Sequence, residues 1–258
     1  MVTSRGHLNP GDAEIRFDRF DPALHPLVRH VWLARWDVPE GQSRPQRVLT
    51  YPAGNVVVGP DEASLHGTNP RVQVRELTGR SWVVGILLRP AAIRMLTATP
   101  PVSLVASSEP LPSAPSEEMV AAMSADDPRA TITTILQRWL RPLARRVDDA
   151  GLLANEACRI AEEDAELLRV VDLAARLGVG ERHLRRIVHD HVGLTPKWLI
   201  ECRRLQAAAT TLFGTPATDL AALAADLGYA DQAHFTRSYR AVLGETPDQT
   251  RRAGAKAA

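Results

Sequence analysis

The sequence predicts an α+β chain, with a β-rich amino-terminal domain followed by an all-α carboxy-terminal domain. Three observations carry this. Short strand-like runs separated by turn residues fill the first ~90 positions. The pattern changes from strand to helix between about 100 and 130. A helical unit near residue 173 recurs near residue 223.

The length of 258 residues suits two domains, and 45% hydrophobic with 24% charged residues is a globular balance that supports a core in each. The strand-like runs are 28–38, two short runs around a Pro-Ala-Gly-Asn turn in 46–59, then "ASLHG", "VQVREL" and "SWVVGILLRP". Strands this short and this evenly spaced predict a barrel or a sandwich. A short helix is expected at 91–98. The Pro- and Ser-rich stretch 100–118 is expected to be a surface loop. In 129–147, Ile132, Ile135, Leu136, Trp139, Leu143 and Val147 share one helical face. That face can be a dimer seam or can pack on its own β domain, and a second helix is expected at 151–164. The division is therefore 1–100 β-rich, 101–164 loop and linker helices, and 165–258 helical.

The repeat is specific. "LAARLGVGERHLRRIVHDHVGLTP" (173–196) returns as "LAADLGYADQAHFTRSYRAVLGETP" (223–247), with one extra residue after the glycine. Leu173, Ala174, Leu177 and Gly178 match Leu223, Ala224, Leu227 and Gly228. Leu184, Arg186, Val188, Gly193, Thr195 and Pro196 match Phe235, Arg237, Tyr239, Gly244, Thr246 and Pro247. In each copy a short helix ends on a glycine suited to a left-handed cap. A tight turn follows, and a second helix leaves with its apolar residues inward. That is a helix-turn-helix, whose second helix presents its N-terminal side chains to the DNA major groove. The recognition helices are expected at 181–191 and 231–242. Phe235 and Tyr239 anchor the latter, leaving Gln232, His234, Thr236 and Arg237 outward. Arg182, His183, Arg185 and Arg186 are the outward group of the former. Gln and Arg pair bidentately with adenine and guanine edges, and a Thr methyl meets thymine. The helix N-terminus adds amide donors for phosphate. Residues 165–258 hold 13 Lys and Arg against 10 Asp and Glu, an excess that matters only if the arginines share a face.

These residues resemble the AraC/XylS family of bacterial transcription regulators, most strongly over about 150–252. The resemblance implies two helix-turn-helix units joined by a long helix, here 196–213, with Trp198, Leu199, Cys202, Leu205 and Leu212 on its apolar side. It places base-reading residues at Arg182, Arg185 and Arg186, and at Gln232, Ala233, His234, Thr236 and Arg237. Ala233 has no polar group and cannot hydrogen-bond a base. Gly180 stands where the family often carries a Ser or Thr cap, a small weakening. Lys197, Arg203, Arg204 and Arg251 are expected on the phosphate backbone. The amino-terminal part is similar to the sensor region of some actinobacterial members, which implies a small cupin-like β domain.

The implied partners are double-stranded DNA, RNA polymerase, and a small-molecule effector or a second protomer (a homodimer) at the amino-terminal domain. Trp32, Trp36, Tyr51 and Trp82, with His66 or Arg75 as polar groups, either line an effector pocket or are core and surface residues of the barrel. His30 and His66 lack metal-cupin spacing, so neither a metal nor another cofactor is expected. No GxSxG, P-loop or HExxH occurs, and no catalytic residues are assigned. A cupin-type enzyme fused to a DNA-binding tail, and a repair sensor with a reactive cysteine, are the enzyme-class alternatives. An effector-free dimeric regulator is the third. The two cysteines, Cys158 and Cys202, exclude a disulfide framework and fit a reducing cytoplasm. Residues 1–12 have no apolar signal core and no run reaches membrane-spanning length, so a cytoplasmic protein without membrane contact is expected.

Overall fold

The computed structural model describes residues 14–48, 51–125 and 127–257. The amino-terminal stretch read above as lacking a signal core lies outside the described residues. Among those described, strands β1 (Ile15–Phe20), β2 (Val28–Asp37), β3 (Arg44–Val48), β4 (Asn55–Val58), β5 (Ala63–His66), β6 (Gln73–Leu77) and β7 (Arg80–Leu88) come first. Helix α1 (Pro90–Leu96), a 3-10 turn at Pro101–Leu104 and strand β8 (Ser108–Pro110) follow, then helices α2 (Ser116–Ala122) and α3 (Pro128–Ala144).

The strands pair antiparallel in the order β1-β2-β7-β4-β5-β8, while β3 and β6 form a separate two-stranded sheet. The expected barrel does not close: this sheet ends at β1 on one side and β8 on the other. The three-residue β8 carries Pro110 opposite Ser64, a residue without an amide hydrogen to extend the ladder. Alternation along β2 and β7 sends Val31, Leu33, Val84 and Ile86 to one face. There they meet Ile93, Met119, Ile132, Leu136 and Leu140 from α1, α2 and α3. Helix α3 thus buries its apolar stripe on its own sheet. The segment 100–118 is not simply a loop, because Leu104, Leu111 and Ala114 plug into that core.

The helical part continues with α4 (Asp149–Glu163), α5 (Val170–Arg176), α6 (Glu181–Val192), α7 (Pro196–Gly214), α8 (Leu220–Asp226), α9 (Gln232–Leu243) and α10 (Pro247–Ala257). Two cores divide it. Leu173, Leu184, Val188, Leu199 and Ile200 form one with Ala157 and Ala161 of α4. Leu205, Ala208, Leu212, Ala224, Phe235 and Tyr239 form the other. Helix α7 contributes its first half to one and its second half to the other, so one helix of 19 residues, about 28 Å long, spaces the two units.

Helix α4 is the joint between sheet and helical domain. Asn155 accepts from the Ala91 amide at 3.0 Å and donates to the Pro26 carbonyl at 2.9 Å. The β2 ladder slips one residue at Arg29. The bulged side chain reaches Glu162 at 2.5 Å while its guanidinium lies 5.0 Å from the Tyr51 ring centre. Burial raises the Glu162 carboxyl above the usual range, although Arg29 pulls the other way.

Candidate nucleic-acid interface

Each repeat folds as a helix, a glycine turn and a second helix. Gly178 (φ 66°) and Gly228 (φ 70°) take the left-handed backbone that lets the chain reverse between α5 and α6 and between α8 and α9. Gly193 (φ 79°) and Gly244 (φ 72°) end the second helices in the same way. The caps differ between copies. Asp231 accepts from the His234 amide at 2.6 Å, whereas Gly180 gives α6 no side-chain cap. The second helices of the two units run Glu181–Val192 and Gln232–Leu243, within a residue of the expected bounds.

Helix α9 is fixed by an aromatic wedge. Phe235 and Tyr239 are fully buried with ring centres 5.5 Å apart, and Tyr229 meets Phe235 at 5.4 Å. The Tyr239 hydroxyl bonds Thr250 Oγ1 at 2.7 Å, tying α9 to α10. Gln232, Ala233, His234 and Arg237 are exposed on the other side, and Thr236 is half-buried. Leu184, Ile187 and Val188 bury the inner side of α6, leaving Arg182, His183, Arg185 and Arg186 exposed. Arg185 pairs with Glu181 at 2.9 Å. Arg186 donates to His183 Nδ1 at 3.1 Å, so that nitrogen is unprotonated in this arrangement. Arg186 and Arg237 stand at equivalent positions, each two residues beyond its helix's first buried anchor.

The four arginine and lysine residues expected on phosphate are placed differently from one another. Lys197 is exposed at the start of α7. Arg203 donates to the Ala165 carbonyl at 3.1 Å, and Arg251 pairs with Asp248 at 2.6 Å. Arg204 turns inward. Its guanidinium lies 4.3 Å from the Tyr229 ring centre, close to the Gly228 turn, with Nε and Nη2 buried without a hydrogen-bond partner. These three side chains hold the domain together, Arg204 locking the second unit's turn against α7.

The aromatic set expected around an effector is not brought together. Trp82 packs into the sheet-helix core, while strand register puts Trp32, Trp36 and His66 on the opposite face. Trp32 lies over Gly85, where an added Cβ would fall 1.8 Å from the indole, and stacks on Phe17 at 5.9 Å. The Trp36 indole donates to the Thr78 carbonyl at 3.1 Å. Tyr51 belongs to the Arg29 joint, and Arg75 is exposed on β6 beside Gln73. His66 bonds Ser64 at 2.9 Å, and burial lowers its pKa. Cys158 and Cys202 are buried, and burial raises the Cys158 thiol, the opposite of activation.

Sequence reasoning missed two contacts between the domains. The Val72 amide, between β5 and β6, donates to the Val242 carbonyl at 2.8 Å, and its side chain joins the second helical core. At the other unit, a Cβ added to Gly193 would lie 2.6 Å from the Pro101 carbonyl oxygen. The sheet domain and the 3-10 turn that follows it therefore touch α9 and α6 near their C-terminal ends. Arg240, one turn beyond Arg237, was legible from helical spacing; the approach of Val72 was not.

Two helix-turn-helix units on one connecting helix define a double helix-turn-helix domain of the DNA-binding class. A family described as "Helix-turn-helix domain" matches residues 173–253, and a domain of unknown function (DUF6597) matches residues 21–109. The carboxy-terminal domain belongs to the AraC-type helix-turn-helix family. An HTH-type transcriptional regulator of Mycobacterium tuberculosis is 36% identical over 85 residues, covering 33% of this chain and 32% of that protein. The match thus spans about a third of that relative's length. Among solved structures, a probable AraC family transcriptional regulator from Rhodopseudomonas palustris is 30% identical, covering 38% of this chain and 97% of that one, with a TM-score of 0.34. Apo ToxT from Vibrio cholerae is 10% identical, covering 94% of this chain and 98% of that one, with a TM-score of 0.42.

Proposed function

We propose that this chain is a sequence-specific transcription regulator whose two recognition helices enter successive major-groove segments, about 34 Å apart, on one face of the duplex. The observation that carries the reading is the duplicated unit itself, with Arg186 and Arg237 at matched exposed positions opposite buried anchors. In this reading Arg182, Arg185, Arg186 and Arg237 read guanine, and Gln232 reads adenine. Thr236 and Ala233 meet thymine methyls, while His183 and His234 supply further polar contacts. Lys197 contacts phosphate. A single chain then reads an asymmetric site, because its two units differ in side chains.

The functional division we propose follows 1–100, 101–164 and 165–258, with regulation arising in the first. The sheet domain's contacts with both recognition helices support control by an effector or by a second protomer. Whatever shifts the sheet relative to α4 changes how α6 and α9 are held. The sheet face bearing Trp32, Trp36 and His66 is the proposed effector surface of a cupin-like domain, and RNA polymerase is the proposed downstream partner. Selection of bound sequences from random DNA by the full chain tests the reading. An enriched, asymmetric motif with two segments one helical turn apart supports it; no enrichment overturns it.

A further inference from the structure

The connection between β5 and β6 does more than touch α9. Arg71 and Val72 face Arg237, Arg240, Ala241 and Gly244 across an open cleft of about 510 Å³. We infer that this cleft is part of the DNA interface: Arg71 of the sheet domain joins Arg240 around one backbone phosphate, beside the base-reading Arg237, at the edge of the groove that α9 enters. The inference rests on the reading of α9 as a base-reading helix.

The charge pattern is the first support. The chain's formal net charge is only +1, and many of its exposed arginines sit beside carboxylates: Arg159 with Glu156 and Glu163, Arg169 with Asp172, Arg185 with Glu181. Three arginines line the cleft and, among the described residues, no carboxylate does. None of the three has an ion pair or a side-chain hydrogen bond among the described residues. Like charges gathered at a concave surface focus a positive potential, and a phosphodiester is the anion that arginine's planar fork matches.

Position is the second support. Residues 237, 240, 241 and 244 continue the stripe of Ala233 along α9, toward the end of the helix away from the tip carrying Gln232. A helix that presents its N-terminal turn to base edges carries its later turns out along the groove wall, where backbone phosphates lie. Ala241 and Gly244 keep the cleft floor low, and a Cβ at Gly244 would meet nothing within 4 Å. The Arg71 backbone is fixed beside the cleft. Its amide donates to Asn69 Oδ1 at 3.0 Å, and the next residue is pinned by the Val242 carbonyl. The cleft's openness suits a phosphate on a duplex better than a small enclosed anion.

The test is the salt dependence of DNA binding by the full chain on its selected duplex. Arg71→Ala, Arg71→Lys and Arg71→Glu are compared with wild type and with Arg80→Ala, an exposed arginine outside the cleft. Losing one phosphate contact lowers the slope of log K against log salt by about 0.9, which narrows the affinity change between 50 and 200 mM salt about threefold. The inference expects this of Arg71→Ala, with equal weakening on matched and scrambled duplexes. It expects a larger drop for Arg71→Glu, and wild-type slopes for Arg71→Lys and Arg80→Ala. Unchanged melting temperatures establish that the variants fold. A wild-type slope for Arg71→Ala overturns the inference while leaving the reading of α9 standing. Failure of the wild type to bind any duplex overturns both. Pyrophosphate stabilising the wild type but not Arg71→Ala, with DNA slopes unchanged, identifies a small-anion site and also overturns it.

Discussion

The Val72 amide, in the sheet domain, donates a 2.8 Å hydrogen bond to the Val242 carbonyl in the last turn of α9. That carbonyl is one a helix end leaves without an internal partner, so the sheet domain acts as part of the helix's C-terminal cap. A matching closeness occurs at α6, where the backbone at Gly193 presses on the Pro101 carbonyl. Both α6 and α9 are thus steadied from behind by the part of the chain that is proposed to sense.

The two terminal glycines separate backbone strain from domain docking. Both take positive φ, so alanine at either costs about 1–2 kcal/mol for the left-handed conformation. Gly244→Ala meets open space and should lose only that. Gly193→Ala also drives its methyl into Pro101, 2.6 Å away, and should lose more and loosen the domains. Thermal unfolding of both variants, with hydrogen exchange across 187–193 and 101–105, checks this. Equal losses and unchanged exchange would count against the docking contact.

The unequal caps give a second expectation. Asp231→Ala removes the acceptor for the His234 amide and should destabilise α9 by about 1 kcal/mol. Gly180→Ser adds a missing cap to α6 and should stabilise by a few tenths of a kcal/mol. Denaturant midpoints of the two variants test the pair, opposite signs being the expected result.

Three histidines set a pH dependence. Burial, with Arg19 and Arg29 nearby, pushes His30 down to about 3, and burial also lowers His66 and His191. A depressed histidine is neutral in the folded protein and takes up its proton first in the unfolded chain. Its contribution is therefore full above pH 6.5 and is lost as pH falls from 6.5 toward the folded value. Glu162 acts in the opposite sense, its raised carboxyl binding a proton first in the folded state, near and above 4.5. Stability should fall between pH 6.5 and about 5, and His30→Gln should flatten that fall. A melting temperature constant over this window would contradict the assignment.

What the sequence disclosed was what is local. The repeat, its glycines and the burial of Phe235 and Tyr239 depend on residues a few positions apart, and helix periodicity exposes them. The barrel expectation failed because closure depends on which strand edges meet, a relation between distant residues that Pro110 blocks at one edge. Trp82 parted from Trp32 and Trp36 through cross-strand register: Trp82 pairs with Arg35, on the face Trp32 does not share. Proline and serine in 100–118 disguised the buried anchors Leu104 and Leu111. Arg204 read as a phosphate ligand because nothing local reveals the Tyr229 ring beneath it.

The central claim is that α6 and α9 both read bases. Full-length protein should be titrated by band shift against its selected duplex and a scrambled one, with Arg186→Ala and Arg237→Ala alongside the wild type. Each variant is expected to lose about 1–3 kcal/mol on the selected duplex and far less on the scrambled one, relaxing specificity in its own segment. Equal losses on the two duplexes, or no binding by wild type at modest ionic strength, would contradict the account.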